Sequence, residues 1–430
     1  MNKLLEGIQN GATPPLEEIL TVLSPHLPWL DNLEYTPQDP IWHAEGNVLM
    51  HTSKVLEQVY RILETPPLVF SSESSSSYEP AVLEPARRLA LVLGAVLHDI
   101  GKTVTTRARE DGRIVSPRHP EKGRSYAALK LLELEVPFPV WKDVLALIGH
   151  HHDPLRLIRD DAPLSRYMRL ARLCDLELVY LLERADLLGR VSLDTEEQLE
   201  HLDYFQLTAE INGLWKTDPY AQWKEHVWTA LEGESEDLKG LTLEGGILDF
   251  EAGTIFTVEE AVARGYRFRQ GFADLTITVG PSGSGKSVWL RENAKNAEVI
   301  SLDALREELT GDSENQSQNG RVQQLARVRL KTALAHKKSV VWEATSTRFD
   351  LRLIPTRLGF DYGARVRYVV FTVPERQLFT RNFEREHPVP AGVLSKQVKD
   401  LEFPFLDEAH HTVYVDEFGK KLGEGLVDAF

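Results

Sequence analysis

One cysteine, Cys174, stands in 430 residues. That excludes an internal disulfide and any thiolate-built metal site, and it fits a reducing, cytoplasmic compartment. Long apolar runs are missing as well. No stretch approaches the roughly 18 uncharged apolar residues that a membrane span needs, so no membrane partner is expected. The opening MNKLLEGIQN lacks a secretory hydrophobic segment. Basic residues are scarce: 49 Lys and Arg against 65 Asp and Glu leave a net charge of −16. A protein that coats a duplex needs the opposite balance, so broad nucleic-acid affinity is excluded while a small basic site is not. Residues 348 to 385 reverse the sign locally, with eight arginines against four acids.

The length exceeds what one ordinary core accommodates, which predicts a multidomain chain. Apolar residues three and four apart in VLMHTSKVLEQVYRIL and EPARRLALVLGAVLHDIGK predict an all-α domain over 1–240. SSESSSS at 71–77 reads as a low-complexity loop. EGESEDLKGLTLEGGILDF, rich in glycine and acid, reads as the start of a linker placed at 241–269. Beyond it DLTITV, EVISLD, SVVWEAT and RVRYVVFTV alternate with helical patterns. That alternation predicts an α/β domain with a parallel sheet over 270–430.

GPSGSGKS at 280–287 satisfies G-x-x-x-x-G-K-[ST], with an apolar strand before it and a helical pattern after it. Backbone amides around Gly280, Ser282, Gly283, Ser284 and Gly285 are placed to curl about phosphate oxygens. Lys286 would reach the β- and γ-phosphates of ATP or another NTP, and Ser287 would hold Mg²⁺. Asp303 in SLDALR falls at a strand's carboxyl end, where it can take a proton from an attacking hydroxyl. Arg306 follows, placed to clamp an incoming phosphate. Glu343 in WEATSTR can meet the Mg²⁺ through water. Arg381 and Arg385, four apart, are expected to share a helix face and to stabilise a transferring phosphoryl group. Together these pieces, over about 270 to 410, resemble the 5′-hydroxyl polynucleotide kinase family. The resemblance implies Asp303 as general base, Arg306 on the acceptor's phosphate, and Arg381 and Arg385 in a lid. It makes Arg348 and Arg352 weaker candidates for acceptor contacts. EATS departs from that family's DATN at Glu343.

The histidines fall in an order of their own: His51, then His98–Asp99, then His119, then His150 to His152, then Asp186. Imidazole and carboxylate donors suit Mn, Fe, Co, Ni or Zn. WHAEGNVLMHTSKVL, LHDIGK and ADLLGR resemble the HD phosphohydrolase superfamily over about 40 to 190, in particular the HD domains attached to tRNA nucleotidyltransferases. The resemblance implies a first metal on His51, His98, Asp99 and Asp186. A second would share Asp99 and be held by His119 and by His150 or His151. Asp175 is the alternative to Asp186, and His43 and Glu45 match an H-x-E-G pattern without needing to be ligands. A metal-acidified water would attack phosphorus, and Lys102 would contact the substrate phosphate.

With the HD part first and the kinase part second, the chain resembles bacterial HD–polynucleotide kinase end-healing enzymes. That resemblance implies 5′-phosphorylation and 2′,3′-phosphate removal at RNA or DNA termini, a separate ligase acting downstream, and a homodimer as a further expectation. Two other readings fit the same motifs. One is a small-molecule or nucleoside kinase fused to an HD nucleotidase. The other is a nucleotide-sensing regulatory ATPase with an inert HD domain.

Overall fold

Nine consecutive residues from Leu89 to Leu97 are buried in the helix Pro85–Leu97. A helix apolar all round has to lie inside a domain, and this one is packed by the helices Val48–Glu64, Phe138–His150 and Asn2–Gln9, and by Leu176–Gly189. Val48–Glu64 turns His51, Val55, Leu56, Val59 and Ile62 inward at spacings of three and four. The computed structural model describes residues 1–64, 83–312, 315–385 and 387–425, so the SSESSSS run lies outside the described residues. No helix among the described residues is long and apolar enough to cross a membrane.

The chain divides between Pro219 and Tyr220 into two compact units. The helical unit therefore ends about twenty residues before the expected boundary, and the expected linker is not one. Residues 241–269 instead fall in the helices Glu236–Glu251 and Val258–Gly265 and a 3₁₀ turn, Tyr266–Gln270. The composition misled because its glycines serve close packing. A Cβ on Gly246 would lie 2.4 Å from the Ala261 Cβ, and one on Gly265 would lie 2.4 Å from the Thr242 hydroxyl. The acids are also tied down: buried Glu244 receives two bonds from Arg365, at 2.6 and 2.8 Å.

A small hairpin pairs β1 (Arg107–Ala108) with β2 (Ile114–Val115) in the first unit. The second unit is built on β3 (Asp274–Val279), β4 (Glu298–Ser301), β5 (Ser339–Glu343), β6 (Arg365–Phe371), β7 (His411–Val415) and β8 (Lys421–Gly425). Their order is β4-β5-β3-β6-β7-β8, parallel throughout except for antiparallel β8. The expected parallel sheet is thus present, with β7 and β8 added at one edge. Because β3 has a parallel neighbour on each side, the loop after it leaves from the middle of the sheet's carboxyl edge, where such sheets place their ligands.

Two features of this packing are open to test. Gly101 follows His98–Asp99, and a Cβ there would sit 2.0 Å from the backbone oxygen of His119. Gly101→Ala must therefore push the His119–Lys130 helix away, at an expected cost of about 1–3 kcal/mol; denaturant unfolding of the two proteins measures it. In the second unit the Val366 amide donates to Nδ1 of buried His410 at 2.9 Å, so that ring is neutral. Burial, with help from Arg365, pushes its pKa from 6.5 down to about 4. A folded pKa below the unfolded one means stability fully present above pH 6.5 and lost as pH falls towards 4, by about 3 kcal/mol in all. His410→Gln keeps an acceptor without the titration, so its stability should fall less than wild type's between pH 7 and pH 4.5.

Candidate active sites

In the first unit the sequence order becomes a cluster. His98 ends the helix Pro85–Leu97, and Asp99 lies in the turn that follows. His51 Nε2 is 2.8 Å from Asp186 Oδ1 and 3.8 Å from Asp99 Oδ2. His98 Nε2 is 3.4 Å from Asp99 Oδ2, and His119 Nε2 is 3.1 Å from Asp99 Oδ1. His151 Nε2 stands 3.9 Å from that same oxygen.

The far side of each ring explains the arrangement. Nδ1 of His98, His119 and His151 lies 2.8, 2.9 and 3.0 Å from the carbonyls of Ala95, Ser116 and Ile148. A carbonyl only accepts, so each Nδ1 carries the proton and each Nε2 turns a lone pair inward. His51 Nδ1 likewise faces Glu45 Oε1 at 2.9 Å, and Glu45 also takes His43 Nδ1 at 2.7 Å and the Val191 amide at 2.9 Å. Lone pairs aimed at carboxylate oxygens repel unless a cation lies between them. His51 Nε2, His98 Nε2 and both Asp99 oxygens are buried, and the shortest charged contacts they make are Asp186 Oδ1 at 2.8 Å from His51 Nε2 and Lys102 Nζ at 2.6 Å from Asp99 Oδ2. Donor type, tautomer and burial therefore all fit a divalent transition metal. Burial alone would raise the Asp99 pKa, yet the Lys102 ammonium beside it holds its carboxyl well below the usual range. Burial also pushes the imidazole of His151 well below its ordinary value.

Among the described residues four ligand-type sets have donor atoms within 4.8 Å of one another: His51–His98–Asp186, His119–His151–His152, His152–Glu183–Asp186 and His43–Glu45–His51. Of the two neighbours left open by the sequence, His151 joins the cluster. His150 does not: its Nδ1 is taken by Asp153 Oδ2 at 2.7 Å. Asp175 is also elsewhere, capping the helix Leu176–Gly189 and paired with Arg87 at 2.7 Å. Lys102 is no surface lysine; it reaches Asp99 Oδ2 at 2.6 Å and Gln38 Oε1 at 2.9 Å. The sequence reading missed His152, Glu183 and Arg190. Arg190 forks onto Asp186, and buried Glu183 groups with His152 and Asp186. Both flank Asp186 at helical spacings of three and four, which is the signal that could have found them. A cavity of about 350 Å³ opens over the cluster, lined by Lys102, His119, His152 and Arg190 among others.

In the second unit the phosphate loop joins β3 to the helix Lys286–Asn293. Gly283 and Gly285 have φ of 83° and 96°, a region that other residues avoid. Lys286 folds over the loop and donates to the carbonyls of Gly280 and Pro281 at 2.8 and 2.7 Å. Burial lowers its pKa to about 8, against the pull of Glu343 and Asp303. Ser287 Oγ donates to Glu343 Oε1 at 2.8 Å, so the residue that departs from the DATN pattern still stands beside the Mg²⁺ position. Ser301, not Asp303, caps the next helix. Asp303 is left 82 % exposed, 2.5 Å from Nη1 of largely buried Arg306.

Four arginines sit differently from expectation. The helix Glu375–Phe383 ends before Arg385, so Arg381 and Arg385 do not share a helix face. Asn382 turns the chain there by bonding both backbone groups of Val389, and the prolines at 388 and 390 cannot continue a helix. Arg381 stays over the loop, 4.0 Å from where a Gly285 Cβ would lie, and donates to the Glu417 carbonyl at 2.6 Å. Exposed Arg385 acts on Lys286 through its charge. Arg352 is 1 % exposed and pairs twice with Glu408, at 2.5 and 2.8 Å, so it braces the fold, while Arg348 pairs with Asp350. A further group unforeseen in the sequence is Gln397, whose Oε1 accepts from the Ser282 amide at 2.8 Å.

Comparison with known proteins bears on both units. Residues 48–189 match the HD domain family and residues 275–404 an AAA domain family. No curated protein matches the chain. Among solved structures, a chain of the Pnkp1/Rnl/Hen1 RNA repair complex aligns at 24% identity over 31% of this chain and 47% of its own, with a TM-score of 0.29. This chain thus spans about half the length of that one. A gluconokinase from Sinorhizobium meliloti 1021 aligns at 22% identity over 35% of this chain and 86% of its own, TM-score 0.26. A sugar kinase from Janibacter sp. HTCC2649 does so at 18% over 34% and 87%, TM-score 0.27. With the His and Asp cluster inside the first matched region and the phosphate loop inside the second, the chain carries a metal-type HD domain followed by a kinase-like, nucleotide- and Mg²⁺-type phosphate-loop domain.

Proposed function

We propose that the chain prepares broken RNA or DNA ends for sealing. The phosphate-loop domain moves the γ-phosphate of ATP to a 5′-hydroxyl, and the HD domain removes a 2′,3′-cyclic phosphate or a 2′- or 3′-phosphate. A separate ligase then joins the ends. One observation supports this reading: a single chain holds a phosphate-loop motif and, in its other unit, a metal-type His and Asp cluster. One has a half-buried lysine in a glycine loop and an exposed carboxylate whose charge acts on it. The other has inward-facing imidazoles beneath a cavity lined by Lys102 and Arg190.

In the kinase half, Lys286 turns from its two carbonyls to the β- and γ-phosphates. Ser287, with Glu343 beside it, holds Mg²⁺. Asp303 is open enough to accept the hydroxyl proton as the O–P bond forms. Arg306 binds the phosphate next to the acceptor nucleoside, and Arg381 and Arg385 offset charge on the group in transfer. In the HD half, Lys102 and Arg190 hold phosphoryl oxygens, and His119 and His152 line the floor. A transition metal on His51, His98, Asp99 and Asp186, when bound, supplies Lewis acidity to a water and to the phosphoryl group. Glu45 fixes His51 so that its Nε2 stays turned inward.

End labelling with ATP and a short 5′-hydroxyl oligonucleotide tests the first half. Asp303→Ala is expected to lower labelling about 10²- to 10⁴-fold and to leave phosphate release alone. Labelling at the wild-type rate by that variant overturns the assignment. The second half is read with an oligonucleotide ending in a 2′,3′-cyclic phosphate. His98→Ala should lower the transition metal bound per chain and stop phosphate release while 5′ labelling continues. A chelator should silence the wild type, with recovery on adding Mn, Co, Ni or Zn. A chain that binds none of these metals and cleaves no phosphoester with any of them would defeat the reading.

A further inference from the structure

One wall of the cavity over the HD cluster is not used by the phosphate chemistry. Trp42 lines it and is 46 % exposed, whereas Trp141 and Trp342 are 1 % and 2 % exposed in the two cores. Its backbone is nevertheless held on both sides. Asp39 Oδ1 accepts the Ile41 amide at 3.1 Å, and the Asp39 carbonyl accepts the Trp42 amide at 3.1 Å. Asp39 itself is fixed by Arg113 at 2.5 Å. Two residues on, the Ala44 amide donates to the Val191 carbonyl at 3.2 Å. An indole on a mobile surface loop needs no explanation; one pinned at the rim of a catalytic cavity does.

We propose that Trp42 is the stacking platform for the base of the terminal nucleoside, so that the HD site grips one nucleotide. This rests on the phosphoesterase reading above. The floor of the cavity supplies Lys102, His119 and Arg190 for the phosphate, which leaves the wall for the rest of the ligand. Among the described residues that line the cavity, Trp42 is the one aromatic side chain other than histidine, so there is a platform for a single base. About 350 Å³ also lies at the small end of the range for ligand pockets and is enough for a nucleotide. Stacking uses a π-face that every base has. Thr195 and Gln198, also in the lining, already donate to the Ser192 carbonyl and to Asp194 at 3.2 and 3.3 Å, so they do little to choose between bases.

The test uses the full-length, metal-loaded chain and two substrates: adenosine 2′,3′-cyclic phosphate and 1-O-methylribose 2,3-cyclic phosphate, which has no base. Trp42→Ala should raise KM for the adenosine compound roughly 5- to 150-fold, the range of one base–aromatic stack, with kcat nearly unchanged. It should leave KM for the base-free compound where it was, and Trp42→Phe should recover most of the loss. Uridine and guanosine analogues should behave like adenosine. Equal KM changes on both substrates, or none on either, overturn the proposal. So does a wild type that uses both compounds with the same KM, a result that does not need Trp42→Ala to fold. A wild type that cleaves neither overturns the phosphoesterase reading instead. Stacking is then judged by calorimetric binding of adenosine 3′-phosphate, which Trp42→Ala must weaken and whose failure to weaken overturns it.

Discussion

A carboxylate taken out of water has to be neutralised, and Asp99 sets this problem for the whole first unit. It is 2 % exposed, so water cannot offset its charge. Left alone, it would take up a proton or unfold its surroundings. Instead Lys102 stands against one oxygen, and the Nε2 atoms of His98, His119 and His151 surround the pair. One lysine cannot offset both Asp99 and Asp186; Arg190 answers the second. The inward lone pairs remain, and only a cation satisfies them together with the carboxylates. The helices that frame the cluster are then explicable. For His98, His119 and His151 the backbone carbonyl three residues back fixes the tautomer, and for His51 the Glu45 carboxylate does.

The second unit meets the same problem with the sign reversed. Lys286 is an ammonium held over a glycine loop with two carbonyls for company. Burial depresses its pKa to about 8 because carbonyl dipoles compensate a charge less well than anions do. A polyphosphate restores what burial removes, so the loop is poised for an anion as the cluster is for a cation. Ser287 and Glu343 are bonded to each other beside that loop, and the Glu343 charge also pulls on the lysine.

How much of this was legible in the sequence follows from how each site is written in the chain. The phosphate loop is contiguous, so eight residues specify it, and the strands on either side announced themselves by β-rich runs. HTVYV and KLGEG at the sheet's far edge gave no such signal, being short, polar or broken by glycine. The metal-type cluster is scattered over more than 130 residues, and only its order was visible. Order could not separate His150 from His151, because one residue along a helix turns a side chain by about 100° and only the fold says which way is inward. Asp153 settled that choice by holding His150 outside. Arg352 fell the other way: on paper one more arginine in a basic stretch, it is the buried partner of Glu408. The linker reading failed for a related reason. Glycine signals freedom only where nothing is packed on it, and Gly246 and Gly265 lie against neighbouring helices.

The charge balance ties the two sites together. At physiological ionic strength a charge is felt over roughly 8 Å, so a strand lying along this chain would meet mostly its acidic surface. A polyanion can therefore gain binding energy only where local groups reverse the sign. In the second unit these are Lys286, Arg306 and the arginines near the loop; in the first they are Lys102 and Arg190, at the bottom of a cavity. The proposed grip on a terminus, and on the single nucleoside that carries the phosphate, accords with that distribution. An uncharged contact suits that task best, because it adds affinity at the end of a strand without drawing in the rest.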